Sequence, residues 1–269
     1  NVALHTAPKS TPTPSRLEPI SFKLLSDGRI ALPHLPHFGY RFASRVAGIG
    51  GARELIFYSL SPDLQDTAEA LVRSAKAPHV AIVAMEPKTG RILALAQRST
   101  SLSHAALHAG FPAASLFKLA TAAAALDAGV LGPYSKIYFR GGNYTLNINN
   151  FKPDQGRDRR CMSLAEGLGK SCNPVFARVA LQHLSAPVLR HYARRFGFNT
   201  DLKFSVPLKM SVAAVPEDDY ELARTAAGFG AVQISAVHAA ALMSGIANGG
   251  VLPQPTLVDH IIGPRGELL

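Results

Sequence analysis

This chain of 269 residues has few cysteines, few aromatic residues and no long apolar run. Cys161 and Cys172 are too few for a disulfide scaffold or for a zinc site built of thiolates alone, although one bridge between them stays open. No stretch of about 18 uninterrupted apolar residues is present, which excludes a membrane-spanning helix within these residues. The start at Asn1 resembles no signal peptide, so we expect any targeting or anchoring segment to lie upstream in a longer parent.

Charge is scarce as well, and what there is has an excess of one sign. Charged residues make up 17% of the chain, and 28 Lys+Arg against 18 Asp+Glu give a net charge of +10. A hydrophobic share of 47% excludes wholesale disorder. The basic excess favours anionic surroundings such as nucleic acid, phospholipid head groups or acidic envelope polymers. Neither a zinc finger nor an RNP-like aromatic motif accompanies it, so we expect a solvated basic face and no nucleic-acid partner.

The distribution of proline divides the chain into an N-terminal arm or linker, residues 1–56, and one domain, residues 57–269. In the arm, short strands are predicted at 20–25 and 38–44. In the domain, apolar patterns predict strands at 79–85 and 91–96 joined by a hairpin turn, and later strands at 257–262 and 267–269. Helices are predicted at 62–75, 115–131, 163–170, 174–184, 186–195 and 233–248. Helices grouped in this way, instead of alternating with strands, indicate an α+β fold.

The first candidate for chemistry is the segment Ser115-Leu116-Phe117-Lys118. Residues three apart face the same way on a helix, so the hydroxyl and the amine are expected one turn apart. An amine that close accepts the serine proton if burial lowers its pKa. Helical spacing of serine and lysine also arises by chance, so the pair alone does not decide the function.

The second candidate is Ser171-Cys172-Asn173, at the junction of two predicted helices. The hydroxyl suits proton relay and the amide suits holding a substrate carbonyl. Serine and asparagine are also common helix caps, and a cap remains the simpler interpretation of this turn on its own.

Taken in order, Ser-x-x-Lys followed by Ser-x-Asn resembles the serine acyltransferase signature of penicillin-binding proteins and class A β-lactamases. Other segments support the resemblance to the penicillin-binding transpeptidase domain over residues 57–269. Residues 61–65 are similar to the start of that domain, 81–96 to its first hairpin, 111–118 to its nucleophile segment and 228–250 to its late helix. Ala114 stands where the family usually has glycine.

The resemblance implies a β-lactamase/transpeptidase-like fold, an antiparallel sheet with a helical cluster whose C-terminal strands are incomplete here. It implies a high-molecular-weight, monofunctional D,D-transpeptidase that cross-links peptidoglycan stem peptides and binds β-lactams. Ser115 would be the nucleophile, Lys118 its base and Ser171 a proton relay, while Asn173 would hold the donor chain and Lys118. It further implies no cofactor or metal, a location outside the cytoplasm, and a partner complex in cell-envelope synthesis.

One departure concerns the family's third motif, Lys-Thr-Gly, which Val251–Leu269 does not supply. Lys88-Thr89-Gly90 matches the letters but precedes Ser115 and occupies the predicted hairpin turn, so we reject it as a site. Two interpretations remain open: the motif follows Leu269 in a longer parent, or the chain is a non-catalytic scaffold that has lost it. A β-lactamase is a further alternative within the same class; it differs by needing a base for fast deacylation, which the sequence alone does not locate.

Competing motifs are weaker. His34 with His37, and His104 with His108, have metal-like spacing but lack a third ligand and the HExxH pattern, so we expect loop histidines. A Gly-x-Ser-x-Gly elbow is absent from the sequence, which argues against an α/β-hydrolase triad.

Overall fold

A computed structural model of the chain describes residues 23–24, 30–32, 43–47 and 53–268. Its strands are β1 (Lys23–Leu24), β2 (Ile30–Ala31), β3 (Ala43–Ala47), β4 (Arg53–Tyr58), β5 (His79–Met85), β6 (Ile92–Ser99), β7 (Phe111–Pro112), β8 (Lys136–Phe139), β9 (Arg160–Ser163), β10 (Val212–Ala213), β11 (Val232–Ile234) and β12 (Val258–Ile262). Its α-helices are α1 (Pro62–Ser74), α2 (Lys118–Asp127), α3 (Leu164–Gly169), α4 (Asn173–His183), α5 (Ala186–Arg195), α6 (Asp219–Ala226) and α7 (Ala236–Ala247). Short 3-10 helices cover Ala105–Leu107 and Ala114–Phe117. The fold is α+β, as predicted.

The predicted hairpin is confirmed, because β5 and β6 pair antiparallel across the turn at residues 86–91. Helix α1 packs against this pair, where Ala68 and Val72 meet Ala94 and Ala96. Small residues on both sides allow the helix to approach the sheet closely. Pro62 opens α1, where its missing N–H costs nothing.

A second sheet has the order β12-β4-β3, with both pairs antiparallel. The predicted boundary between residues 56 and 57 falls inside β4, and the division of the chain into arm and domain stays a prediction. Of the strand expected at 20–25, only Lys23–Leu24 is described, and of the strand expected at 38–44 only residues 43 and 44 are described, as the start of β3. The remaining residues of those two predictions lie outside the described part.

The helical predictions at 163–170, 174–184 and 186–195 are confirmed by α3, α4 and α5. The prediction of one helix over 233–248 is wrong at its start, because residues 232–234 form β11. Helix α7 begins only after Ser235, whose hydroxyl accepts a hydrogen bond from the His238 N–H and so caps the helix. Helix α6 and strands β8 and β9 were not predicted.

The short sheet β10-β11-β7 leads directly to the Ser-x-x-Lys segment. Residues of β7 pair with β11, and the Ala113 N–H donates to the Val232 carbonyl at 2.9 Å. The strand predicted at 267–269 is reduced to a single bridge between Leu268 and Ile262, and Leu269 is not described.

Helices in the described residues are all too short or too polar to cross a bilayer. Cys161 is exposed and Cys172 is buried, and both thiols are free, so the bridge left open by the sequence is not formed. The described residues also contain no group of three or more His, Cys, Asp or Glu side chains arranged to hold a metal ion. His34 and His37 fall outside the described ranges.

Candidate active site

Ser115 lies on a 3-10 turn that directly precedes α2, and Lys118 is the first residue of that helix, which corrects the prediction of one helix over 115–131. The 3-10 turn spans Ala114–Phe117, and α2 begins at Lys118 and ends at Asp127. Side chains three apart eclipse on a 3-10 turn. The Lys118 ammonium is therefore brought to 2.8 Å from the Ser115 hydroxyl oxygen, as donor to it.

Lys118 is buried, with 1% of its surface exposed, whereas Ser115 is exposed. Burial removes water from the ammonium group and lowers its pKa from 10.5 to about 8, although the nearby Cys172 thiol acts in the opposite direction. The nitrogen also lies 5.9 Å from the centre of the Phe176 ring. A lysine with this pKa is neutral in an appreciable fraction of molecules near neutral pH, and in that form it accepts a proton.

Ser171 owes its position to the way α3 ends. The Ser171 N–H donates to the Leu168 carbonyl and the Cys172 N–H to the Gly167 carbonyl, which together form a Schellman motif. Ser171 occupies the left-handed position of this motif, with a φ of 51°. Because glycine is the usual residue there, serine is an unusual choice at this position.

The two turns bring three polar groups together. The Ser171 hydroxyl lies 2.6 Å from the Ser115 hydroxyl, and the Lys118 ammonium lies 3.4 Å from Ser171. Neither Ser171 nor Asn173 is the N-cap of α4, which is Cys172, although Ser171 takes part in the motif that ends α3. A connected chain of hydroxyl, amine and hydroxyl passes protons over short distances.

Asn173 is the first residue of α4 and is buried. Its backbone N–H donates to the Asn143 carbonyl at 2.7 Å, and its side-chain N–H donates to the Tyr144 carbonyl at 2.8 Å. Within the described part of the chain, the Asn173 side-chain amide therefore bonds to the backbone of Tyr144 and not to Lys118. Sequence reasoning missed Asn143 and Tyr144, because backbone carbonyls leave no signal in the side-chain letters.

Ala114, the residue before Ser115, is where the chain departs from the usual family pattern. Ala114 has a φ of 48°, in the left-handed region where glycine is unstrained. Gly228 lies against it: a Cβ built on Gly228 would come within 1.9 Å of the Ala114 carbonyl oxygen. The turn at Ala114 and Ser115 thus depends on the absence of a side chain at Gly228, which lies within the predicted late-helix segment 228–250.

Lys88-Thr89-Gly90 occupies the turn of the β5–β6 hairpin, as the sequence predicted. The Gly90 N–H closes the turn on the Glu86 carbonyl at 2.9 Å, and the Thr89 hydroxyl donates to the Glu86 carboxylate at 2.5 Å. These residues are therefore engaged in the hairpin itself.

An exposed serine bonded to a buried, partly neutral lysine and to a second serine has the composition of a serine–lysine acyl-transfer site on an α+β scaffold. Comparison with known proteins agrees with this class. Residues 80–267 match the family described as the penicillin binding protein transpeptidase domain. The chain belongs to this family.

Individual relatives are consistent with the assignment. The chain is 29% identical to the peptidoglycan D,D-transpeptidase PbpA of Mycobacterium tuberculosis over 84% of its own length and 53% of that protein. It therefore spans about half the length of the curated relatives it matches.

Among solved structures, the penicillin G acyl-enzyme of penicillin-binding protein A from M. tuberculosis has a TM-score of 0.63 at 25% identity, over 80% of this chain and 57% of that one. The D,D-transpeptidase domain of a peptidoglycan glycosyltransferase from Eggerthella lenta has a TM-score of 0.68 at 22% identity, over 92% of this chain and 71% of that one. The second likeness bears on the fold alone.

Proposed function

We propose that the protein is a peptidoglycan D,D-transpeptidase that works through an acyl-enzyme on Ser115. The observation that carries the proposal is the contact of the Ser115 hydroxyl with both the Lys118 nitrogen and the Ser171 hydroxyl. Relatives named for this activity, and a related structure titled as an acyl-enzyme, support it.

In the acylation step, neutral Lys118 accepts the hydroxyl proton of Ser115 while the Ser115 oxygen attacks the carbonyl between the last two D-alanine residues of a stem peptide. The new C–O bond gives a tetrahedral intermediate. As its C–N bond breaks, the proton on Lys118 reaches the leaving amine through the Ser171 hydroxyl, and free D-alanine departs. Ser171 suits this relay because it contacts both other groups.

In the transfer step, an amine of a neighbouring stem peptide attacks the acyl-enzyme carbonyl. Lys118, or Ser171 acting for it, takes the proton of that amine, and the Ser115 oxygen regains a proton as the ester C–O bond breaks. The new amide is the cross-link. Asn173 is fixed by two bonds to the 143–144 backbone, so its side-chain oxygen suits contact with an N–H of the donor peptide.

A β-lactam carries a strained amide in place of the scissile peptide, and attack by Ser115 opens its ring into a lasting ester. We propose β-lactams as inhibitors on this basis, supported by the penicillin G complex of the related protein. Peptidoglycan is assembled outside the cytoplasm, so we propose that this domain works there, within a cell-envelope synthesis complex.

The scaffold alternative is less well supported. A domain that only binds partners has no use for a lysine that is 1% exposed and held at 2.8 Å from an exposed serine. The β-lactamase alternative needs a base that activates water at the acyl-enzyme. Among the described residues, the groups hydrogen-bonded to the Ser115 hydroxyl are Lys118 and Ser171, and neither is a carboxylate that could serve as this base.

The proposal is tested by labelling the complete gene product that carries these residues with a fluorescent penicillin. We expect a stable covalent adduct that disappears in Ser115→Ala. The matched control is Ser103→Ala, an exposed serine that forms no side-chain hydrogen bond in the described part of the chain. Unchanged labelling of Ser115→Ala would refute the assignment, whereas rapid loss of the adduct from the unaltered protein would favour the β-lactamase.

A further inference from the structure

The loop between β8 and β9, residues 140–159, is attached to the start of helix α4. Asn173 donates two hydrogen bonds to consecutive carbonyls of this loop. Its backbone N–H donates to the Asn143 carbonyl, and its side-chain N–H donates to the Tyr144 carbonyl. The direction of the Asn173 amide is therefore set by where residues 143 and 144 lie.

Arg160, the first residue of β9, holds that part of the loop. Its guanidinium donates to the Gly141 carbonyl at 2.5 Å and to the side-chain oxygen of Asn143 at 2.9 Å. It also stacks over the Phe139 ring, 5.1 Å from the ring centre. Two bonds from one planar group, on either side of residue 142, fix the backbone that carries the two acceptor carbonyls.

The far part of the loop is tied to the same helix by a buried ion pair. Arg178 of α4 is completely buried and binds both carboxylate oxygens of Asp158 at 3.1 Å. Asp158 also accepts a bond from Arg140 at 2.9 Å. With this end anchored, Arg160 is the one described residue besides Asn173 itself whose side chain bonds to the carbonyl and amide groups of the 141–144 segment.

We infer that Arg160 is a positioning residue for the acylation reaction, acting through Asn143 and Tyr144 on Asn173. This inference rests on the proposed transpeptidase function. Loss of the guanidinium frees the 141–144 segment, and the Asn173 amide then loses the fixed direction in which it meets a donor peptide or a β-lactam. Small displacements of a positioning group slow a reaction strongly, so we expect acylation about tenfold slower.

The test compares Arg160→Met with Arg159→Met in the complete gene product. Arg159 is the preceding residue, is also exposed, and its side chain forms no hydrogen bond or ion pair in the part of the chain that the structure describes. Both changes remove one positive charge and keep a long apolar side chain. Stopped-flow labelling with a fluorescent penicillin separates initial binding from the acylation rate constant, and hydrogen exchange by mass spectrometry follows the backbone amides of 171–176.

For Arg160→Met we expect an acylation rate constant about tenfold lower, faster exchange at the Asn173 amide and an unchanged melting temperature relative to Arg159→Met. Arg160→Lys keeps one donor group and should recover part of the rate. Equal acylation rates in the two Met variants would overturn the inference, as would slowed acylation with unaltered exchange at 171–176. If the unaltered protein does not react with penicillin, the proposed function fails, and the exchange result alone then decides whether Arg160 holds Asn173.

Discussion

The protonation state of Lys118 should control how the acylation rate depends on pH. Only the neutral amine accepts the Ser115 proton, and burial lowers the lysine pKa to about 8. The rate should rise tenfold for each pH unit below 8, because the neutral fraction rises in that proportion, and should level off above about pH 9.

The size of the effect follows from the same value. With a pKa of about 8, roughly a tenth of the Lys118 amines are neutral at pH 7, whereas a lysine at the ordinary 10.5 would be neutral in about three of 10,000 molecules. Burial therefore multiplies the competent population by about 300-fold. Lys118→Arg keeps the charge but cannot give up its proton, so we expect its acylation to be at least about 100-fold slower at every pH.

The assay is the second-order rate constant of fluorescent-penicillin labelling from pH 6 to pH 9.5, with the spontaneous hydrolysis of the antibiotic subtracted at each pH. Lys170→Arg is the matched control, since Lys170 is exposed and lies beside Ser171 in sequence. Its profile should match that of the unaltered protein. A flat profile between pH 6 and pH 9, or a rate that still rises tenfold per pH unit at pH 9.5, would refute the assignment of Lys118 as the base.

Three further predictions concern stability, measured by urea or thermal unfolding. Ala114→Gly should stabilise the protein by about 0.5–1 kcal/mol, because its φ of 48° suits glycine; no gain would mean that the turn is unstrained. Lys118→Met should abolish labelling yet stabilise by about 1–2 kcal/mol by removing a buried charge; a destabilised variant would contradict this. Burial lowers the pKa of His238. The stability that the neutral, buried ring contributes is therefore complete above about pH 6.5, and it is lost as the pH falls because the unfolded chain binds the proton more readily. His238→Leu should weaken this acid sensitivity whereas exposed His183→Gln should not, and equal sensitivity would exclude His238 as its source.

Local patterns in the sequence were enough to predict the hairpin, the core of most helices and the four candidate site residues. The hairpin was predictable because alternating and continuous apolar runs flank a Pro-Lys-Thr-Gly turn. Helices α4 and α5 have Pro174 and Pro187 in their first turns, and proline at this position is a helix-start signal that the sequence alone reveals. The roles of the site residues stay predictions that the labelling experiments test.

The errors have physical causes as well. The helix predicted over 233–248 includes residues 233 and 234 because their apolar pattern continues into α7, and only the pairing of β11 with β7 and β10 makes them part of a strand. The short strands β8 and β9 depend on each other across the loop 140–159, a pairing that single-sequence propensity does not reveal. The loop carbonyls that bind Asn173 are invisible for the same reason.

The contact between the two serines is a property of two separate apolar clusters and of the helix that joins them. Phe117 and Ala120, at the start of α2, belong to one cluster, while Ala122 and Ala125, one turn further, belong to the cluster that also contains Cys172. Because α2 packs into both clusters, it fixes the distance between the turn at Ser115 and the 171–173 turn. Each turn contains a residue with positive φ, at a cost on the order of 1 kcal/mol, and that strain persists only while both clusters stay packed. A cavity opened in either cluster, next to Ala120 or next to Ala125, should therefore separate the Ser115 and Ser171 hydroxyls before it unfolds the domain.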